Sequence, residues 1–146
     1  MTLSLWMLLG FAGWTLLVLL VGVGIMRWLL IFKGEAELVS FPGGVVHGSP
    51  AYRRATRAHA NCVDNLPIFA AIVLVASAAH LNPPRMGQLA AIVLATRIVQ
   101  TCIHMLLPES NASIAARFTS YLVQVVAMIA MTILLVMAAM AAGGVR

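Results

Sequence analysis

The chain is poor in charge and poorer still in acid. Of 146 residues, four are Asp or Glu and nine are Lys or Arg, so charged side chains make up only 9%. A water-soluble domain of this size needs far more polar surface to cover itself, which excludes a soluble globule. Cysteine is scarce too. Cys62 and Cys102 form no C-x-x-C pair and lie towards the reducing side argued below, so a disulfide is not expected and both read as small packing residues. The basic residues form no run and interleave with no aromatics, so a pI near 10.3 does not signal nucleic acid. The first residues carry no charged n-region, and their apolar run outlasts a signal h-region, so no cleavable signal peptide is expected. Lipidation motifs and low-complexity segments are missing as well.

What the chain has is apolar length. It is 62% hydrophobic, with a mean hydropathy of +1.02. Four segments can each offer the ~20 residues that a bilayer span requires. Backbone groups in lipid must be satisfied within the segment, so these segments are helices. They cover residues of about 3–32, 51–80, 85–107 and 114–142. The expected fold is an all-α integral membrane bundle of four transmembrane helices, forming a single domain over residues 1–146. Ser49-Pro50 opens the second helix. Pro83 and Pro84 make a tight turn, and Pro108 ends the third helix, with Ser110, Asn111 and Ser113 as capping candidates. Gly22 and Gly24 suit close helix packing. Lys33, Arg53, Arg54, Arg57 and Arg117 outweigh Arg85 and Arg146, so loops one and three are expected in the cytoplasm and both termini outside.

Polar residues enter these spans in stripes. Arg53, Arg57, Asn61 and Asp64 are spaced 4, 4 and 3 apart and share one helix face. Arg97, Gln100 and His104 form a second stripe, and Arg117, Tyr121 and Gln124 a third. Arg27 lies near the end of the first helix. Charge near a helix centre costs roughly 2.5–3.5 kcal/mol per group on insertion scales, and such residues mark sites. Stripes on all four helices, gathered in one half of the membrane, point to an anion pocket. Arginine suits carboxylates and phosphates, while Asn61 and Asp64 add an acceptor and a counter-charge for an ammonium. A small zwitterion with extra carboxylates fits, and glutathione is one. Its thiol titrates near ~8.5, so a cation is needed to hold the thiolate at neutral pH. Gln100 and Gln124 read as interhelical hydrogen-bonders, and Arg53 and Arg54 as snorkelling interfacial charges.

The segment RATRAHANCVDNLP, Arg54 to Pro67, resembles the second-helix signature of the MAPEG family, the membrane-associated proteins of eicosanoid and glutathione metabolism. The likeness extends over nearly the whole chain: four helices, a long first loop, and arginines on helices one, three and four. It implies a homotrimer, with glutathione as co-substrate, held between neighbouring subunits near the cytoplasmic face, and no metal. A bacterial member of this kind sits as a multi-pass protein in the inner membrane and meets its lipophilic substrate in membrane lipid. The resemblance assigns Arg57, Asn61 and Asp64 to glutathione, with Arg27 reaching a carboxylate. It places Arg97, His104 and Tyr121 in the same site and makes Arg117 the thiolate-stabilising, catalytic residue. The expected activity is transfer of glutathione to lipophilic electrophiles, or their reduction as a peroxidase. The chain departs from the pattern at Asp64, one methylene shorter than the usual Glu, and at Asn65 and His104, which replace aromatic hydroxyls. Ala60 lacks the arginine of the prostaglandin-synthesising members, which argues against their activity.

Three other readings follow from the same residues. A MAPEG-like subunit could bind its ligand or a partner without turnover. A small transporter would need an intramembrane carboxylate as its proton carrier, and here Asp64 stands alone among arginines. A haem protein could use His59 and His104 as axial ligands.

Overall fold

A computed structural model describes residues 1–41 and 48–143. His47, the Gly/Pro-rich centre of the first loop and Arg146 lie outside the described residues. The described residues are all-helical, with four helical stretches long and apolar enough to cross a membrane. The first stretch, Leu3–Phe32, consists of α1 (Leu3–Leu17), a π-helical segment (Val18–Gly24) and α2 (Ile25–Phe32). The others are α3 (Pro50–Ala78), α4 (Met86–Leu106) and α5 (Asn111–Gly143), the last starting at Asn111 rather than near Ile114.

Local chemistry sets these ends. Ser49 caps α3 by accepting from the Tyr52 backbone N–H at 3.2 Å, with Pro50 at the first helical position. Ser110 and Ser113 cap α5 reciprocally, each hydroxyl accepting from the other's backbone N–H at 2.9 and 3.2 Å. At the end of α2, Gly34 takes a positive φ of 69°. The Glu35 N–H then bonds the Leu30 carbonyl and the Gly34 N–H bonds that of Ile31, a Schellman motif.

The end of α3 repeats this motif with a less suited residue. His80 takes φ 54°, with His80 N–H to the Ser77 carbonyl and Leu81 N–H to that of Ala76. A left-handed conformation costs a residue with a Cβ roughly 1–2 kcal/mol. His80→Gly is therefore expected to stabilise the protein by about 1 kcal/mol, read as a higher thermal midpoint in detergent. An unchanged or lower midpoint would contradict this.

The core lies where α3, α4 and α5 pack together with α1. Phe11 and Phe69 meet with ring centroids 5.6 Å apart and are surrounded by Val73, Met86, Ala90, Val93 and Met131. In lipid such packing rests on close contact rather than on expulsion of water. Gly22 in the π segment shows how close: a Cβ there would stand 3.0 Å from the Met105 methyl and 3.3 Å from the Ala55 Cβ. Gly24 has no such neighbour, only the Leu19 carbonyl at 3.5 Å, so the packing role expected of both glycines belongs to Gly22. Cys62 and Cys102 are free thiols, and Cys62 is buried 3.6 Å from the Thr101 hydroxyl.

Candidate functional site

The α3 helix has two faces. Tyr52, Ala55, Ala58, Cys62, Asn65, Phe69, Val73 and Ala76 form its buried stripe. Arg53, Arg57 and Asp64 stand on the exposed side, with Asn61 half-buried at its edge. The polar stripe expected from spacing therefore exists, and it faces away from the chain's own core.

Arg57 points towards the loop between α4 and α5. Its Nη1 lies 3.0 Å from Glu109 Oε1, with the two side chains 50% and 55% exposed. An ion pair this open to solvent contributes little to stability and separates easily. Next to it, Arg54 Nε donates to the Met105 carbonyl at 3.4 Å, and Arg53 Nε to that of Gly48 at 3.0 Å. Together with Pro50 and Pro108, the three arginines and Glu109 line a cleft of about 260 Å³. His104, buried on α4, sits close enough to Arg54, Arg57, Glu109 and Arg117 for all four to act on it electrostatically. Its Nε2 has no hydrogen-bond partner among the described residues.

A second polar group lies deeper. Arg97 on α4 is 1% exposed, donates from Nη1 to Gln100 Oε1 at 2.7 Å and stacks 5.6 Å over the Phe11 ring. Its Nε and Nη2 have no hydrogen-bond partner among the described residues. Asp64 and Tyr121 are close enough to interact with its charge. Gln100 thus bonds within its own helix, whereas Gln124 bonds across helices, its Nε2 donating to Asn65 Oδ1 at 3.2 Å. Beside Asn65 and Tyr121 an open groove of about 340 Å³ runs between α3 and α5. Ile68, Ile72, Val125, Met128, Ile129, Thr132 and Ile133 line the rest of it.

The structure therefore groups Arg57, His104 and Arg117 in one cluster and Asp64, Arg97 and Tyr121 in another. Arg27 joins neither. Its Nε donates to the Tyr52 hydroxyl, and its guanidinium lies over the rings of Phe41, 5.3 Å away, and Tyr52, 5.7 Å away. Tyr52 precedes Arg57 by five positions, about 140° round the helix. Arg27 thus reaches the same end of α3 but a different face. The side chains of Asn61, Asp64, Arg117 and Tyr121 make no hydrogen bond among the described residues. No group of three or more His, Cys, Asp or Glu that could hold a metal occurs among the described residues.

Sequence reasoning passed over three participants. Glu109 was legible in principle, because it follows a helix-stopping proline on the arginine-rich side. Tyr52 and Phe41 gave no sequence signal beyond being aromatic near a helix start.

No curated protein and no solved structure matches the chain. The model of one family does, described as the MAPEG family, and it spans residues 5–137. With four apolar helical spans and the polar face of α3 in place, the chain belongs to the MAPEG family, a glutathione-associated group of multi-pass membrane proteins.

Proposed function

We propose that the chain is a glutathione-dependent membrane transferase or peroxidase. It works as a homotrimer of single-domain subunits, with loops one and three in the cytoplasm of a bacterial inner membrane. The observation that carries this reading is the outward polar face of α3. Arg57, Asn61 and Asp64 belong to a membrane-spanning helix yet face away from their own chain's core. Lipid tolerates such groups poorly. A neighbouring copy covers them and closes a site for a charged, water-borne ligand.

In that site Arg57 and Asn61 bind the carboxylate and amide groups of glutathione. Arg97 and Asp64 serve its charged ends, and His104 and Tyr121 line the remainder. Arg27, held against Tyr52, meets the glutathione of the adjoining subunit. Arg117 holds the thiol as thiolate. In transfer, the thiolate sulfur attacks an electrophilic carbon, a carbon–sulfur bond forms and the leaving group departs with its electron pair. In reduction, the thiolate attacks a peroxide oxygen and releases an alcohol, and a second glutathione then yields the disulfide and water. The groove between α3 and α5 opens to the bilayer beside Tyr121 and offers a lipophilic electrophile its approach.

One observation favours a second reading, ligand binding without turnover. Asn65 stands where the family resemblance places an aromatic hydroxyl, and its amide is consumed by internal hydrogen bonds.

The test is a pair of variants. Arg57→Ala and Asn61→Ala are each expected to raise the glutathione dissociation constant by about tenfold or more, the loss of one charge-assisted bond. Calorimetric titration of detergent-purified protein measures it. Unchanged affinity in both variants would remove the α3 face from the site. Binding in the wild type with no conjugation of an aryl halide would support the second reading.

A further inference from the structure

The helices that carry the two halves of the proposed site, α3 and α5, are joined by a polar tie deep in the bundle. Asn65 is 8% exposed and Gln124 is fully buried at 0%. The donors and acceptors can be assigned without ambiguity. The Asn61 carbonyl can only accept, so Asn65 presents Nδ2 to it, at 2.8 Å. That leaves Asn65 Oδ1 as an acceptor, and Gln124 Nε2 donates to it at 3.2 Å. Gln124 Oε1 has no hydrogen-bond partner among the described residues. α5 packs mainly on α4 and only lightly on α3, so this bond is the one side-chain hydrogen bond joining α3 to α5 among the described residues. A buried amide pair fixes register strongly, because a shifted helix leaves both amides unsatisfied in a low-dielectric interior.

We propose that Gln124 is a positioning residue. By gripping Asn65 it sets the register of α5 against α3, and so places Tyr121 and Arg117, about one and two turns before it on α5, against Asn61 and Asp64. The catalytic consequence rests on the glutathione reading above; the tie itself does not. Gln124→Met keeps the volume and removes the donor. It is expected to lower kcat by about tenfold or more, since misplacement by an ångström is enough for that. The glutathione dissociation constant is expected to change less than about threefold, because the α3 groups stay in place. Asn65→Leu should produce the same split, and the double variant should fall no further than either single one.

A second measurement is independent of activity. Spin labels at Val63 and Leu122, in chain with Cys62 and Cys102 replaced by serine and diluted with excess unlabelled chain, report the α3–α5 distance. The distribution is expected to be narrow with Gln124 and broad with Gln124→Met. Equally narrow distributions overturn the proposal whether or not the wild type conjugates glutathione, as do additive losses in the double variant. Broadening in Gln124→Met, when the wild type never turns over glutathione, upholds the tie and overturns the transferase reading instead.

Discussion

Arg117→Ala is expected to lower turnover with glutathione and an aryl halide by about a hundred- to a thousandfold, the range found when one stabilising donor is removed from a developing or resident anion. Glutathione affinity is expected to stay within a few-fold of wild type. Two features of the structure set this split. Arg117 is half-buried in the first turns of α5, and its guanidinium makes no hydrogen bond among the described residues, so its donors are open to a ligand. Together with Arg54 and Arg57, it lies within electrostatic reach of His104. On the proposed mechanism these cations hold a bound thiol as thiolate, and removing one of them raises its pKa. Stopped-flow ultraviolet absorption of the bound thiolate is the direct check: Arg117→Ala should lose most of the thiolate signal at neutral pH. A variant that keeps both signal and turnover would take the catalytic role from Arg117.

Arg97→Met is expected to separate function from stability. A guanidinium at 1% exposure with two unpartnered nitrogens is a poor structural investment. Its bond to Gln100 and its place over Phe11 offset only part of the desolvation. Replacing a buried charge by an apolar side chain of similar volume is often neutral or stabilising by about 1–4 kcal/mol. If Arg97 serves glutathione, the variant therefore keeps or raises its thermal midpoint in detergent and weakens glutathione binding by about ten- to a hundredfold. Loss of folded protein together with unchanged affinity in what remains would instead make Arg97 a structural residue.

How far the sequence reached is clearest on α3. Spacing alone placed Arg53, Arg57, Asn61 and Asp64 on one face, because a helical period needs no tertiary information. It did not show that this face turns away from the chain's own core. That depends on Cys62, Asn65 and Phe69 forming the better core stripe, which is decided by packing against α4 and α5. Asn65 illustrates the difference. In the sequence it is one more polar residue in a charged stretch. In the fold it lies about 100° round the helix from Asp64, buried and bonded to Gln124. Arg27 was legible as a charge near a helix end, but not its stacking against Phe41 and Tyr52, since nothing local pairs residues so far apart in the chain. The first span read as one uniform helix. Its π segment, where Gly22 approaches Ala55 and Met105, has no counterpart in the hydrophobic periodicity. The cap at Ser110 was legible because serine spacing is local chemistry, whereas His80 in a glycine-like role was not.

The central claim is that a glutathione site is completed on the polar face of α3. Calorimetric titration of the wild-type protein in detergent with glutathione tests it most directly. Saturable binding is predicted, abolished or strongly weakened by Arg57→Ala. The absence of any binding heat across the millimolar range that cells maintain, from protein whose four-helix fold is intact by circular dichroism, would contradict it.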